Sequence, residues 1–556
     1  MPISNRKIAK QFKLAASLLE LNDDNQFKSK AYENAAFAVR SFDRPLWAMT
    51  EAELELVPGI GKTLSKKITQ IVQTGSYEEL DRLMELTPPG LIELINIKGI
   101  GSKKVKTLWM DAGITSPEDL LGACLENRLV DIKGFGKKTQ DNIIELIHFY
   151  FENKNKYLYA EAESEMDYVI KQLKDHESVK KVAYTGEMRR KMPVIDKIEF
   201  LVQLKDNKNL EDVLKEADES ISVSEEGYKT AYMDIPVFFS EVKNDSDWVA
   251  QLMRTTGNAK HLALLKENSF QNAQSEEYVY SKNKLPYIIP EMREGRDEVE
   301  TMKDIKPDDI IKFEDIKGCV HNHSTYSDGG NTLQEMALYC KGMGMQYFGI
   351  CDHSQSAFYA NGMKPYKVQE QWKEIDKLNE QLAPFKIFKG IESDILGTGA
   401  LDYEDDILKQ FDFIVASVHS NIKMKEDDAN KRLLKAIENP YTTILGHMTA
   451  RLLLQRAGFP VNHKMIIDAC VANNVVIEIN ADPHRLDMDW RWYSYALQKG
   501  AMFSINPDAH ETVNMYYMHF GINVARKGGI PNNRVLNALT LEQVEDHFNR
   551  KKPRTL

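Results

Sequence analysis

The chain has 556 residues, of which 42% are hydrophobic and 28% are charged. It is therefore long enough for three or more globular domains, and its composition excludes a fibrous or disordered protein. Its five cysteines are scattered without a CxxC pair, which excludes a disulfide scaffold and favours a reducing compartment. The net charge is −11, but residues 1–150 carry 20 Lys+Arg and 20 Asp+Glu, so the acidity belongs to the later segments.

The first residues run directly into an amphipathic pattern without a signal peptide, and no apolar stretch reaches the roughly 20 residues that span a bilayer. We therefore expect a cytoplasmic protein that does not use a membrane. No segment indicates an obligate protein partner.

Residues 1–150 are predicted to form short helices, because apolar residues recur at helical spacing and prolines interrupt the pattern. We divide them into a small helical domain at 1–80 and a second helical domain at 81–150. Three segments, 57–68, 97–108 and 132–143, repeat a Gly-apolar-Gly turn with an apolar residue nine positions after the first glycine. Those apolar residues are Ile68, Leu108 and Ile143.

The paired glycines let the backbone turn tightly, so that amide N–H groups at the start of the next helix point outward and suit a phosphate oxygen. Three glycine caps between packed helices are the alternative. The segments resemble helix-hairpin-helix motifs, which grip the DNA backbone without reading bases. The candidate DNA-binding residues are Gly59, Gly61, Lys62, Gly99, Gly101, Lys103, Gly134, Gly136 and Lys137.

From about residue 155 the pattern changes to strand-like runs that alternate with helical stretches, which indicates an α+β domain. We assign residues 151–240 to this domain, 241–295 to a smaller subdomain and the charged, proline-containing stretch 296–315 to a linker. In residues 316–556, seven apolar runs alternate with helical segments. Seven βα repeats favour a parallel barrel over an open sheet, although periodicity alone does not separate the two.

Residues that bind metals follow six of the seven apolar runs of the third domain. At the carboxyl ends of parallel strands they would meet in one cleft. They are His321, His323, Asp328, His353, Glu392, His419, His447, Asp508 and His510. Imidazole and carboxylate together favour Zn, Mn or Fe, and clustered cations activate water and stabilise a leaving alkoxide, so this is a predicted phosphoesterase site. Arg451 and Lys423 follow strand ends and are candidates for neutralising substrate phosphate, or for surface salt bridges.

Three parts of the sequence resemble known families. Residues 5–80 are similar to the N-terminal domain of family X DNA polymerases, which implies that Lys67 is a candidate Schiff-base nucleophile at an abasic site, or one more lysine that contacts phosphate. Residues 185–202 resemble the palm of that family, with 241–295 as its thumb-like subdomain. Aligning Arg189 and Arg190 places Glu187 at the phosphate-binding serine, and Lys197 and Glu199 at the two metal-binding aspartates. Asp234 remains as the third carboxylate.

The third domain resembles the PHP family, which implies a distorted (βα)7 barrel with three metal ions. Together the motifs resemble bacterial PolX, a family X polymerase fused to a PHP domain. The resemblance implies a DNA-repair enzyme that hydrolyses phosphoesters in the PHP domain, as a 3'-5' exonuclease or on abasic-site and 3'-end lesions, with gapped, nicked or 3'-ended DNA as partner. The altered palm predicts weak or lost polymerase activity and doubtful Mg binding. The alternatives are a small-molecule phosphatase of the histidinol-phosphatase type, an active gap-filling polymerase and a noncatalytic scaffold at DNA gaps.

Overall fold

The computed structural model describes residues 3–22, 26–40, 42, 44–205, 208–218, 220–225, 227–232 and 234–551. The chain forms two compact units: residues up to Asn155 with Leu214–Ser220, and Lys156–Val213 with Ile221 onward. The finer domain boundaries at residues 80, 240, 295 and 315 stay predictions. No helix in these ranges is long and apolar enough to cross a membrane. All five cysteines are buried, and none of them forms a disulfide.

The first unit is helical, as predicted. Its helices are α1 (Asn5–Leu21), α2 (Gln26–Arg40), α3 (Glu51–Leu54), α4 (Lys62–Thr74), α5 (Glu78–Leu86), α6 (Pro89–Asn96), α7 (Ser102–Ala112), α8 (Pro117–Leu125) and α9 (Lys137–Asn153). They bury one continuous apolar core, which includes the aromatic rings of Phe12, Tyr32 and Tyr77. Ile68, Leu108 and Ile143, the apolar residues of the repeated motif, lie in this core with at most 1% of their surface exposed.

The second unit begins with a mixed α/β region. Its strands are β1 (Tyr157–Leu158), β2 (Val179–Tyr184), β3 (Val194–Ile195), β4 (Ile198–Leu204), β5 (Ser222–Ser224), β6 (Gly227–Tyr232) and β7 (Ile235–Glu241). Its helices are α10 (Tyr159–Asp175), α11 (Gly186–Arg189), α12 (Leu210–Ala217), α13 (Trp248–Thr256), α14 (Ala259–Leu262), α15 (Glu276–Lys282) and α16 (Glu298–Thr301). The last turn of α12, from Leu214, belongs to the first unit. The main sheet has the order β2-β4-β7-β6-β5, in which β4 and β7 pair in parallel and the other neighbours pair antiparallel.

The rest of the second unit is a seven-stranded parallel barrel. Its strands are β8 (Gly318–Cys319), β9 (Tyr347–Ile350), β10 (Lys386–Asp394), β11 (Phe413–Ser417), β12 (Ile444–Leu445), β13 (Val476–Asn480) and β14 (Phe503–Asn506). Its helices are α17 (Leu333–Gly342), α18 (Pro365–Leu382), α19 (Asp405–Leu408), α20 (Glu426–Ile437), α21 (His463–Ala472), α22 (Tyr493–Lys499), α23 (Met518–Lys527) and α24 (Leu541–Lys551). The strands pair in sequence order, and their continuous apolar runs are buried, as expected for a parallel sheet that is covered on both faces.

Two contacts close the barrel between its first and last strands. Asn322 forms a β-bridge with Ala509, and the backbone N–H of His323 donates to the carbonyl oxygen of Ala509 at 2.8 Å. The interior is filled by apolar side chains, and α24 packs Phe548 flat against Phe413, with ring centroids 5.1 Å apart. This confirms the predicted (βα)7 barrel and leaves the loops after the strands as its functional face.

Buried polar contacts join the barrel to the α/β region within the second unit. The ammonium group of Lys527, on α23, donates to the carbonyl oxygens of Arg190 and Glu291 and pairs with Glu294. Burial lowers the pKa of Lys527 to about 8, although Glu294 opposes this. His519, also on α23, pairs with Glu163 of α10 at 3.1 Å. The barrel and the α/β region therefore pack as one body.

Candidate metal centre and DNA-binding elements

The nine predicted ligands converge at the carboxyl ends of the barrel strands. Glu392 lies within β10, and the other eight lie in the loops that follow β8, β9, β11, β12 and β14. His321 and Asp508 both adopt the left-handed backbone region, with φ of 61° and 52°. This conformation is costly away from glycine and persists where the surrounding structure imposes it, as at functional sites.

The carboxylate of Glu392 is the centre of the cleft and is 1% exposed. Its Oε1 lies 3.1 Å from Nε2 of His419, 3.1 Å from Nε2 of His447 and 3.3 Å from Nε2 of His321. Its Oε2 lies 2.9 Å from Nδ1 of His353. Nε2 of His323 lies 3.7 Å from Oε2, so one carboxylate faces five imidazoles, as expected for a group that bridges metal ions.

The ligands form three overlapping groups, and within each group the candidate ligand atoms lie within 4.8 Å of one another. The groups are His323, Asp328, His353 and His510; His321, His323 and Asp508; and His353, Glu392 and His419. His447 joins the cleft through its contact with Glu392.

The donor atoms themselves indicate that the cleft fits metal. Nδ1 of His353 and Oε2 of Glu392 are both buried, and neither has a hydrogen-bond partner among the described residues despite their 2.9 Å separation. Nε2 of His321 is buried and unsatisfied in the same way. Buried polar atoms that face one another without hydrogen bonds are costly unless a cation lies between them. The ligand set therefore fits divalent ions of the kind that imidazole and carboxylate bind together.

The electrostatics of the cleft reflect this density of charge. Burial, together with the neighbouring His510 and His353, lowers the pKa of His323 to about 3. Burial opposes ionisation of Glu392, but His419, His321 and His353 hold its pKa well below the usual value. His323 is thus held as a neutral imidazole and Glu392 as an ionised carboxylate, the forms that bind cations. Burial lowers the pKa of His321, His419 and His510, but the neighbouring carboxylates outweigh burial and raise all three values.

Three buried carboxylates that the sequence analysis missed support the ligands. Glu478 accepts a hydrogen bond from Nδ1 of His321 at 2.5 Å and one from the backbone N–H of His447 at 2.6 Å. Asp394 lies 2.5 Å from Nδ1 of His419. Asp352, next to His353, accepts from Ser324 and Ser327 in the loop that carries His323 and from Gln371 on α18. A charged residue inside an apolar strand was the available signal for Glu478, and the two-residue spacing from Glu392 was the signal for Asp394.

The arginine that reaches the metal cleft is Arg485, not Arg451. Arg451 donates to the carbonyl oxygen of Arg485 at 2.9 Å and to the carboxylate of Asp489 at 2.5 Å, so its guanidinium is committed to these groups. Nε of Arg485 lies 3.8 Å from Oδ2 of Asp508. Lys423 is exposed in the loop after β11, four residues beyond His419.

The three glycine turns have the same backbone form. The first glycine of each turn, Gly59, Gly99 or Gly134, has a φ between +84° and +98°. The second is the N-cap of α4, α7 or α9, without a side-chain hydrogen bond at the cap. A Cβ atom at Gly61, Gly101 or Gly136 would meet no atom within 4 Å.

The second glycines leave open space beside the helix N-termini. Packing within the described residues does not require glycine at these positions. Lys62, Lys103 and Lys137 are exposed beside the turns and add positive charge. The turns thus present helix N-termini to an anion.

Lys67 lies on α4 in a partly enclosed cluster, and 16% of its side chain is exposed. Its ammonium group pairs with Glu79 at 2.7 Å and lies 4.7 Å from the centre of the Tyr77 ring. Burial raises the pKa of Glu79, but hydrogen bonds from Lys28, Lys67 and Tyr32 lower it to about 2. Glu79 is therefore an anion near neutral pH, and its carboxylate holds the Lys67 side chain in place.

Family profiles match three parts of the chain. A helix-hairpin-helix domain matches residues 3–77, a SAM-like helix-hairpin-helix tandem matches 91–147, and a PHP domain matches 320–482. The chain is 31% identical to the DNA polymerase/3'-5' exonuclease PolX of Bacillus subtilis, over 98% of this chain and 99% of that protein. This chain belongs to the PolX family. The resemblance to PolX and its PHP and helix-hairpin-helix motifs is confirmed, and the helix-hairpin-helix domains together with the relationship to PolX support DNA binding.

Part of this PolX chain also matches proteins described as probable phosphatases. It is 25% identical to a probable phosphatase of Thermoanaerobacter sp. (strain X514), over 42% of this chain and 94% of that protein. It is 27% identical to a probable phosphatase of Acetivibrio thermocellus, over 29% of this chain and 63% of that protein.

The palm of this PolX member holds Lys197 and Glu199 where the alignment expects two aspartates. Their charged groups pair at 3.0 Å, and Lys197 lies over the ring of Phe238 at 5.0 Å. The pairing of β4 with β7 places Phe238 directly beside Glu199. Asp234 is exposed and lies four residues before Phe238 on the chain. Four residues span about 13 Å along an extended strand. The structure therefore does not bring Asp234 to Glu199.

The neighbouring arginines of the palm are engaged by protein groups. Arg189 donates to both carboxylate oxygens of Glu276, at 2.8 and 3.1 Å, and Arg190 pairs with Glu294 at 2.9 Å. Glu187, at the expected serine position, accepts from the backbone N–H of Asp196 at 2.7 Å. Burial raises the pKa of Glu187.

Proposed function

We propose that this PolX member is a DNA-repair enzyme that hydrolyses DNA phosphoesters in its PHP barrel, with 3'-5' exonuclease action on gapped, nicked or 3'-ended DNA. The observation that carries the proposal is the complete cleft around Glu392, in a chain that also has three glycine turns open to an anion. The named activity of the Bacillus subtilis relative supports it. Processing of abasic sites and blocked 3' ends belongs to the same chemistry.

The proposed cofactor is a set of three divalent ions, of Mn, Zn or Fe, one for each ligand group. Such ions lower the pKa of bound water and neutralise charge on a phosphoryl group. The hydrolysis adds the oxygen of water to phosphorus, breaks the P–O3' bond and returns a proton to the O3' leaving group. Glu392 and the histidines hold the ions, Glu478 and Asp394 orient the imidazoles, and Arg485 supplies positive charge beside Asp508 for a phosphate oxygen.

We further propose that the palm has little or no polymerase activity. An ammonium group occupies the site of one expected ligand, and Phe238 lies where a neighbouring strand would offer a carboxylate to Glu199. Two Mg ions would have too few oxygen ligands there. The roles of Lys67 as a nucleophile and of Lys423 in binding phosphate stay predictions. For binding phosphate in the cleft, Arg485 is better placed than Arg451.

A small-molecule phosphatase is the second candidate, because proteins described as probable phosphatases match part of the chain. The test uses Glu392→Gln in the full chain. We expect the wild-type protein with Mn to degrade single-stranded DNA, and the variant to lose at least about 100-fold in rate while its DNA affinity stays unchanged. Hydrolysis of small phosphate esters without hydrolysis of DNA would favour the second candidate. Unchanged DNA hydrolysis by the variant would contradict the barrel as its source.

A further inference from the structure

Two neighbouring aromatic side chains are exposed at the mouth of the metal cleft. Phe358 and Tyr359 lie in a short 3-10 turn in the loop after His353, and 80% and 70% of their surface is exposed. Adjacent exposed aromatic rings are costly in water, and on a loop beside an active site they indicate a binding surface.

The position of Tyr359 ties this surface to the metal ligands. Its ring centre lies 6.1 Å from that of His353 and 6.3 Å from that of His419, with the rings nearly edge to face. Tyr359 therefore lies directly beside two of the predicted metal ligands.

The loop that carries the two rings is held in place by its backbone. The N–H of Gly362 donates to the carbonyl oxygen of Ala357 at 3.0 Å, and the N–H of Met363 donates to that of His353 at 2.8 Å. A Cβ atom at Gly362 would lie 2.0 Å from the carbonyl oxygen of Ser354. The N–H of Ser356 donates to Asp402 at 2.6 Å. The rings thus form a preorganised surface.

Positive charge flanks the aromatic surface. The ammonium group of Lys364 lies 5.5 Å from the centre of the Phe358 ring, and Arg485 lies beside Asp508 in the cleft. Aromatic rings with cations nearby suit a single strand of nucleic acid, because bases stack on the rings and phosphates pair with the cations. A small phosphate ester would use the cleft and leave the rings uncovered.

We propose that Phe358 and Tyr359 form a platform on which the base of the terminal nucleotide stacks while its phosphodiester occupies the metal cleft. The inference rests on the proposed function and narrows its substrate class to a strand end that carries an unpaired base. The rings determine specificity because they bind the base. The reacting phosphodiester contacts the metal cleft and not the rings.

The test compares two single-stranded oligonucleotides, one ending in 3' deoxyadenosine and one ending in a base-free deoxyribose analogue. With the full-length protein and Mn, we expect the first hydrolysis on the base-bearing end to have a kcat/KM about 10-fold higher or more. The double variant Phe358→Ala, Tyr359→Ala should lose this preference, because its kcat/KM on the base-bearing end should fall to its value on the base-free end. Tyr359→Phe should retain the preference, because it keeps the ring. Tyr339→Ala, on the outer helix α17, is the matched control.

Equal rates of the wild-type protein on the two ends, or a faster rate on the base-free end, would overturn the platform alone. So would a double variant that keeps the preference or loses rate equally on both ends. Hydrolysis of neither oligonucleotide would overturn the proposed function, and the platform with it.

Discussion

Single residues at the metal cleft orient the histidine ligands, because they bind the ring nitrogen that does not face the cleft. Glu478 accepts from Nδ1 of His321, which leaves Nε2 of the same ring facing Glu392. It also accepts from the backbone of His447, so one carboxylate fixes two ligands that come from different strands. Such a group raises the basicity of an imidazole and fixes its tautomer.

Glu478→Gln should therefore lower the affinity for metal by about 10- to 100-fold without removing a ligand. The amide keeps the size of the side chain but loses the charge that favours His321 as a donor. Metal titration by calorimetry, on protein stripped with chelator, measures the change. Glu314→Gln, at an exposed position, is the control and should have the wild-type affinity. An unchanged affinity in Glu478→Gln would contradict the supporting role.

Glu276 is a second single residue with a measurable effect, here on stability. Its carboxylate accepts from Arg189 and from Arg293, whose side chain is 1% exposed. Burial opposes ionisation, but hydrogen bonds from Arg293 and Arg189 lower the pKa of Glu276 from 4.5 to about 2. The stabilisation that follows is complete above pH 4.5 and is lost as pH falls from 4.5 to 2.

Glu276→Gln should lower the free energy of unfolding at pH 7 by on the order of 3 kcal/mol, and the thermal unfolding temperature should fall with it. The difference from the wild-type protein should shrink as pH falls through 4.5 toward 2. Scanning calorimetry over that range measures it. Glu267→Gln is the control. The side chain of Glu267 is 81% exposed and pairs with Arg254, so its loss should change stability little at any pH. A difference for Glu276→Gln that persists to pH 2 would be inconsistent with this account.

At the scale of elements, the two glycines of each turn have separate roles. Gly99 has a φ of +98°, and a Cβ atom there would lie 2.9 Å from Leu146, so the fold itself requires glycine. Gly101, two residues later, has an ordinary φ of −74° and open space around it. A substitution at the second glycine therefore separates DNA binding from folding.

Gly101→Val should lower DNA affinity by about 10-fold, because the side chain would block a backbone N–H group from a phosphate oxygen. The loss should be equal for all DNA sequences, and binding of the wild-type protein should weaken as salt rises. Fluorescence anisotropy with two unrelated duplexes measures both effects, and circular dichroism checks the fold. Gly122→Val, in α8 with open space around it, is the matched control. Unchanged affinity in Gly101→Val would favour a purely structural role for the turn.

At the scale of the whole molecule, the barrel and the palm region differ in how many of their expected metal-ligand residues they contain. The barrel has every expected ligand, whereas the palm holds an ion pair of Lys197 and Glu199 beside an aromatic ring. Lys527 and His519 nevertheless join the barrel to the palm region by buried contacts. The palm region is thus retained as a packed part of the second unit.

Template-directed primer extension by the full chain should be at background. The measurement uses the Glu392→Gln variant, so that degradation does not mask synthesis. Robust extension would contradict the proposal that the palm is inactive. The combined change Lys197→Asp, Glu199→Asp, Glu187→Ser and Phe238→Asp restores the carboxylates and removes the repulsive Glu187. Lys197→Asp alone should restore nothing, because Phe238 and Glu187 would remain.

The sequence by itself determined the parts that depend on local pattern. Glycine spacing predicted the three turns, because a positive φ and a tight turn are local requirements on the chain. Regular βα alternation predicted the barrel, and it placed all nine ligands on one face, because the carboxyl ends of parallel strands meet there.

The tertiary structure alone decided which groups meet across elements. Arg451 and Arg485 both follow strand ends, and only the packing of their loops brings Arg485 to Asp508 and commits Arg451 to Asp489. The register of β4 against β7 places Phe238, and not Asp234, beside Glu199. Register and loop packing depend on contacts between residues far apart in the chain, so a pattern read along one segment does not contain them.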